Sequence, residues 1–314
     1  MMATRQSYAS EARPGVKRRR PWQSAAFRKQ VVAWLFILPI TLFHLVVVVI
    51  PVFSAVYYSL TEWSGIGPAE FIGLENYQEL FFEDDNFQIA FGNNLKFMAY
   101  YLTIPFGVAL FIASLLMRVR RGAQFFRTVL FLPNMLPTVA FYFIWQQILS
   151  PLYGVGAQLK LWGIPGFDIP LLGRTDTALA TVALIGIWGY WGFLMVMFLT
   201  AMQAVPTDLY DAVKIDGANR WQEFLHVTLP GIRATVLFML MNVAATIFAA
   251  FNGVYILTLG GPARSSELVA TYLYERAFGM RDMGYAAAIG VTVALLAAVI
   301  LGLFGILRRR GWEV

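Results

Sequence analysis

From residue 31 onward the chain alternates long apolar runs with short polar stretches, and the runs are too long for strands or for most buried helices. About 20 apolar residues in a helix cross the ~30 Å hydrocarbon core of a bilayer. Runs of that kind cover residues 31–60, 93–117, 125–149, 178–202 and 232–259, and a sixth ends at Leu307. Prolines interrupt some of them. Pro39 or Pro51 is expected to bend the first. Pro133 and Pro137 break the third around Asn134, exposing carbonyls that are tolerated only where protein or a water-filled cavity receives them. Gly186, Gly189 and Gly192 in the fourth run allow a neighbouring helix to approach closely. The pattern predicts an all-α integral membrane protein of six transmembrane helices. It forms one membrane domain over 31–310, flanked by a tail over 1–30 and a short end over 311–314.

Charge adds orientation. The chain is 59% hydrophobic and 13% charged, with a net charge of +6. In a soluble protein that excess would suggest nucleic acid, but here the cations sit beside the apolar runs. Arg13, Lys17, Arg18, Arg19, Arg20, Arg28 and Lys29 fill the tail; Arg118, Arg120 and Arg121 follow the second run; Arg308, Arg309 and Arg310 follow the sixth. Residues 61–92 instead carry Glu62, Glu70, Glu75, Glu79, Glu83, Asp84 and Asp85, with no Lys or Arg. By the positive-inside rule both termini are cytoplasmic and 61–92 lies outside. Within it, residues 71–82 are expected to fold onto the membrane surface. The first apolar run far exceeds the ~7–15 residues of a signal peptide's apolar h-region, so it is read as a retained span. With no cysteine, disulfides and thiol chemistry are excluded.

One stretch breaks the apolar rule. Residues 205–230 read VPTDLYDAVKIDGANRWQEFLHVTLP and place Asp208, Asp211, Lys214, Asp216, Arg220 and Glu223 between two spans. Pro206 and Thr207 suit a helix start, and Leu209, Ala212 and Val213 share one apolar face. Gly217 ends that helix, because only glycine enters the left-handed conformation without steric cost. Asn219 with Gln222 has the spacing of a capping box opening a second helix, which presents Trp221, Phe224 and Leu225; Pro230 stops the run. Two short amphipathic helices at a glycine elbow suggest a docking element. The alternative is a helix lying in the lipid interface, but such helices favour cations, and here four acids face two.

The same stretch resembles the EAA loop of binding-protein-dependent ABC-transporter permeases. Asp211-Ala212-Val213, Gly217 and Val227-Thr228-Leu229-Pro230 stand at the motif's spacing. Asp211 replaces the usual Glu, and Val213 the usual Ala. YDAVKIDGANRWQEF, the GLENY segment, RTVLFLP and the run from LGGPARSSEL to AAAIGV are similar to the carbohydrate-uptake subfamily, that of maltose and glycerol-3-phosphate permeases. The resemblance covers roughly residues 30 to 308. It implies a type I importer permease with cytoplasmic coupling helices, in a prokaryotic cell membrane. It further implies a second permease, usually non-identical, two copies of an ATPase and an extracytoplasmic sugar-binding protein. Tyr210, Asp211, Ala212, Asp216, Gly217, Leu229 and Pro230 would then contact or shape the contact to the ATPase.

The remaining chemistry bears on energy and cargo. Ion carriers need titrating groups at mid-depth, and the spans hold only His44 there, more readily a packed polar group than a relay. A P-loop needs Gly-Lys-Ser/Thr, and no Lys here follows a Gly. ATP and Mg are therefore expected on a partner and no cofactor or metal on this chain, which is not itself an enzyme; an ion-coupled carrier is the alternative. Aromatics and amides gather in spans three to five: Asn134, Tyr142, Trp145, Gln146, Gln147, Trp188, Tyr190, Trp191, Asn242, Asn252 and Tyr255. Sugars suit such a lining, since C–H faces stack on rings while amides meet hydroxyls. Interfacial belts and helix packing also use these residues. The spans hold no basic cluster, which disfavours a phosphorylated cargo.

Overall fold

A computed structural model describes residues 25–119, 121–164, 166 and 169–309. The cations at 13–20, Arg120 and Arg310 lie outside the described residues, as do the side chains of Arg28, Arg308 and Arg309. Contacts divide the chain into two units, Met1–Ser54 and Ala55–Val314.

The first unit carries α1 (Ala25–His44), a π-helical turn over Leu45–Val49, and the start of α2 (Ile50–Tyr58). The loosened turn falls where Pro51 would press on the carbonyl four residues earlier, at Val47, so the backbone yields there and not at Pro39.

In the second unit, β1 (Thr61–Glu62) pairs antiparallel with β2 (Glu70–Phe71), and α3 (Glu75–Gln78) follows. Residues 71–82 do not simply lie on a surface. Asn76 is buried and donates to the carbonyls of Ser59 and Thr61, both at 3.0 Å, and Leu80 is fully buried. Next come α4 (Asp85–Leu116), α5 (Ala123–Met135), α6 (Thr138–Ile148), α7 (Val155–Leu161) and α8 (Ala178–Gln203). The span expected from residue 93 thus begins eight residues earlier, because the Asp84 carboxylate caps α4 through the N–H groups of Asn86 and Phe87 at 2.9 and 3.0 Å. After α8 the chain forms α9 (Thr207–Ile215), α10 (Arg220–Glu223), a π-helical turn over Phe224–Thr228, α11 (Leu229–Gly231) and α12 (Arg233–Thr246). It closes with α13 (Asn252–Leu257), α14 (Val269–Tyr274) and α15 (Met283–Arg309).

Among the described residues, four helices are long and apolar enough to cross a membrane: Lys29–Tyr58, Asp85–Leu116, Ala178–Gln203 and Met283–Ile306. Two bent pairs bring the number to six if each counts as one span. Ala123–Met135 meets Thr138–Ile148 at 92°, where Pro137 removes a donor and fixes the backbone of the break. The fifth run departs further from the single span expected over 232–259. Arg220–Gly231 meets Arg233–Ala249 at 69°, and the helix stops again after Ala249, leaving Ala250 extended before α13. No proline or glycine marks that second stop. It is held from outside, since buried Asn94 of α4 donates to the Ile247 carbonyl at 3.2 Å and satisfies a helix end.

Apolar all round, these helices choose their buried sides by size rather than polarity. Phe106, Ala109 and Ala113 of α4 pack against Leu194, Met195 and Phe198 of α8, with Met239 and Val243 of α12. Gly192 lets α8 touch the backbone of α5: a Cβ there would fall on the Leu130 carbonyl oxygen.

Candidate functional site: a docking loop and a polar cavity

Residues 205–231 stand at the C-terminal end of α4. Pro206 opens α9 as its N-cap (ψ 131°) and supplies no side-chain cap, with Thr207 the first helical residue. Gly217 has φ +76°; its N–H bonds the Lys214 carbonyl at 3.1 Å, and the N–H of Ala218 bonds that of Val213 at 3.0 Å. This is a Schellman ending, which needs a residue free to enter the left-handed region. Asn219 then accepts from the N–H groups of Trp221 and Gln222 at 3.0 Å, while Gln222 accepts the N–H of Asn219 at 2.8 Å. The capping box is complete.

The faces differ from the expected ones. Tyr210 and Val213 pack on the core beside Phe224 and buried Val227, and the Thr228 hydroxyl donates to the Tyr210 oxygen at 3.3 Å. Leu209 and Ala212 face outward instead, with Ile215 86% and Trp221 66% exposed. Asp208, Asp211 and Asp216, on the same stretch, are all exposed. Asp211 already holds Lys214, at 3.0 Å. Leu229 is half-buried in the last turn and Pro230 exposed before the bend. The stretch thus exposes apolar side chains together with three carboxylates, Lys214 and Arg220, whereas helices that lie in a lipid interface favour cations.

A cavity of about 290 Å³ opens among α4, α6, α8, α12 and α13. Tyr190, Asn242 and Asn252 line it, with Tyr142. Tyr101, Thr138, Thr246, Phe97 and Phe251 also line it and carried no sequence signal of their own. No acid, Lys, Arg or His is among its lining residues. The Tyr190 hydroxyl is buried and meets no protein partner among the described residues, so a ligand hydroxyl entering here finds an unspent donor and acceptor.

The other expected pathway residues lie off this cavity. Asn134 donates to the Gly189 carbonyl at 3.2 Å, tying the α5–α6 break to α8. Gln146 donates to the Ile256 carbonyl at 2.9 Å, tying α6 to α13. Trp188 stacks on Phe141 with ring centres 5.6 Å apart, and Trp145 meets Trp188 edge-on at 5.4 Å. Tyr255 stacks on Phe251 at 4.7 Å and borders a separate space beside Arg264.

Near the N-terminal end of α4 lies a dense polar network. The Asp84 carboxylate accepts the hydroxyls of Tyr272 and Tyr285, both at 2.5 Å, and Arg276 lies over the Tyr285 ring at 3.8 Å. Burial opposes the charge on Asp84, but the two tyrosines, the Phe87 N–H and Arg276 outweigh it and hold its carboxyl below the usual range. Arg264 pairs with Glu275 at 2.7 Å and Glu267 at 3.2 Å; burial pushes the Glu267 carboxyl up. Asn93 donates to the carbonyls of Arg264 and Glu267, and Asn94 accepts the N–H of Val269 at 2.7 Å. Paired asparagines at the start of an apolar span were the available signal for these contacts, since unpartnered amides there are costly.

A helical bundle with broken spans, an uncharged polar cavity and an exposed helix–elbow–helix between spans has the form of a transport pore subunit driven from outside itself. The sequence pattern of the family described as "Binding-protein-dependent transport system inner membrane component" matches residues 104–312, and the chain belongs to that family. It is 34% identical over 280 residues to the "Probable ABC transporter permease protein YurN" of Bacillus subtilis, covering 88% of this chain and 95% of that one. It is 32% identical to the "Probable starch degradation products transport system permease protein AmyD" of Thermoanaerobacterium thermosulfurigenes, covering 87% and 92%. It is also 32% identical to the "Diacetylchitobiose uptake system permease protein NgcF" of Streptomyces coelicolor, covering 86% and 80%. Its fold matches a solved bacterial alginate ABC transporter in complex with an alginate pentasaccharide-bound periplasmic protein, with TM-score 0.81 at 22% identity, covering 94% and 99%. The chain is thus a multi-pass membrane subunit of an ABC importer. It is not an enzyme, and it works with a separate ATPase and a binding protein.

Proposed function

We propose that this chain forms half of the pore of an ATP-driven importer for a neutral mono- or oligosaccharide. The observation that carries the reading is the cavity. Its amides, hydroxyls and aromatic rings suit sugar hydroxyls and C–H faces, and it offers no charge to an acidic or phosphorylated cargo. The names of relatives concerned with starch products and diacetylchitobiose support the same class. In this reading 31–310 acts as one permease domain with both termini cytoplasmic. A second, non-identical permease completes the pore, and two ATPase copies bind ATP and Mg. They dock on 205–230 through exposed Leu209, Asp211, Ala212, Ile215, Asp216 and Trp221, while Tyr210 anchors the first helix on the core, Gly217 terminates it, and Leu229 and Pro230 fix the exit. Tyr190, Asn242 and Asn252 contact the sugar; the other amides and rings hold the wall. The test is uptake of a panel of neutral, acidic and phosphorylated sugars by the complete transporter in proteoliposomes. Uptake of neutral sugars only, dependent on ATP and unaffected by collapsing proton and sodium gradients, is expected. Preference for an acidic or phosphorylated sugar would overturn the cargo assignment, and uptake driven by a pH jump without nucleotide would overturn the energy source.

A further inference from the structure

We infer that α4 is the connecting rod between the docking loop and the cavity, with Arg118, Glu223 and Asn94 as the positioning residues that join it at its two ends. The inference rests on the docking role proposed for 205–230 and goes beyond it, to how that loop's movement reaches the substrate. At one end, Nη2 of Arg118 lies 3.0 Å from Oε1 of Glu223. Arg118 is mounted on the helix's own last turn, since its N–H bonds the Leu115 carbonyl at 3.1 Å. Glu223 sits on α10, two residues past exposed Trp221 of the docking loop, and its side chain is only 15% exposed. The pair therefore joins two segments 105 residues apart.

At the other end, fully buried Asn94 spends its amide on two different walls. It donates to the carbonyl of Ile247, where α12 stops, and accepts the N–H of Val269, the first residue of α14. Ile247 and the neighbouring Leu268 both line the cavity. Between Asn94 and Arg118 the helix rises about 36 Å at 1.5 Å per residue. Pro105 costs one helical hydrogen bond on the way, but Phe106, Ala109 and Ala113 are buried against α8 just beyond it, so the rod stays braced. Packed helices shift as bodies rather than deform. A displacement of α10 is therefore delivered to the two segments that border the cavity.

The test uses the complete transporter in nanodiscs with its binding protein present. Thr246→Cys places one thiol on the cavity wall of a chain that has no cysteine of its own. Its labelling rate by a soluble maleimide is followed on this subunit in ADP and in MgATP plus vanadate. A nucleotide-dependent change in rate is expected. Exposed ion pairs carry a bias of up to about fivefold, so Arg118→Glu, which replaces attraction by repulsion, should cut the change about fivefold while the ATPase still co-purifies. Arg118→Glu with Glu223→Arg should restore it, as a merely structural role for either residue would not. Asn94→Leu should abolish the change with the ATPase still bound, and Asn94→Gln should recover part of it. An unaltered nucleotide response in both Arg118→Glu and Asn94→Leu overturns the rod, as does a swapped pair no better than Arg118→Glu alone. Undiminished recovery of the ATPase with Gly217→Val overturns the docking assignment instead, so the two failures are told apart.

Discussion

Replacing Gly217 by valine is expected to detach the ATPase without unfolding the permease. The residue has φ +76°, and a Cβ built there meets nothing within 4 Å, so no clash contributes and the cost is backbone strain alone. An L-residue in the left-handed region costs ~1–2 kcal/mol, with a β-branched side chain at or above the top of that range. At ~2 kcal/mol the elbow loses roughly 30-fold in population against alternatives. The bonds from Gly217 to Lys214 and from Ala218 to Val213 would open, and α10, launched two residues later by Asn219, would leave at another angle. Trp221, stacked on Phe224 with ring centres 5.8 Å apart, would be carried with that helix away from its place on the docking face. Gly217→Ala should lose about fivefold and Gly217→Asn less, because asparagine tolerates this region. Asp211 behaves differently. Its pair with Lys214 is solvent-exposed, 69% and 58%, and so adds little to the fold. An ATPase cation that reaches it competes with Lys214 for the carboxylate. Asp211→Ala should therefore weaken recovery of the ATPase, Lys214→Ala should raise it, and Asp211→Glu should be tolerated. The assay is co-purification of tagged ATPase together with ATP-dependent uptake, at matched membrane levels of the permease. Wild-type values of both for Gly217→Val and Asp211→Ala would refute the reasoning.

Three further outcomes are expected. The folded carboxyl of Asp84 titrates below its unfolded value of ~3.9, so the stability it confers is present above that value and lost as pH falls through the folded one. Thermal melting in nanodiscs should show a drop below about pH 4 that Asp84→Asn lacks, at a cost in stability near neutrality; identical acid limbs in both proteins would contradict this. Asn252→Ala should lower uptake about tenfold or more at unchanged basal ATP hydrolysis, the scale of one unpaired group in a desolvated site; Trp145→Ala, off the cavity, should act more weakly, and the reverse order of severity would move the sugar away from the cavity. Gly192→Val would drive α5 and α8 apart at the Leu130 carbonyl and should cost ~1–3 kcal/mol; an unchanged melting temperature would mean that the two backbones do not touch.

What could be read before any coordinates follows from which signals are local. A glycine ending one helix and an Asn–x–x–Gln opening the next are complete within a few residues, so the elbow at 217 was legible in full. The direction of its faces was not. Tyr210 and Val213 look inward while Leu209, Ala212 and Ile215 look out, and periodicity marks an apolar stripe equally well whether it meets a core or a partner. In the spans the same limit is more severe, because lipid and protein are both apolar and no polarity difference tells one side of a helix from another. Asn242 and Asn252 stood out as amides in an apolar run, but Thr138 and Thr246 did not, since a threonine that bonds its own helix, as Thr246 does to the Asn242 carbonyl at 2.8 Å, is ordinary anywhere in a span. The stop after Ala249 had no local cause at all. The Ile247 carbonyl at that helix end is met by Asn94, 153 residues earlier, and a break capped from another helix can be seen only once the two are side by side. The same amide holds Val269, so the residue that hid the break from sequence reading is also the one that lets α4 act on the cavity. An interaction legible only in three dimensions is what a long-range coupling requires: it must be made by tertiary contact, and it can therefore be changed by moving one helix against another.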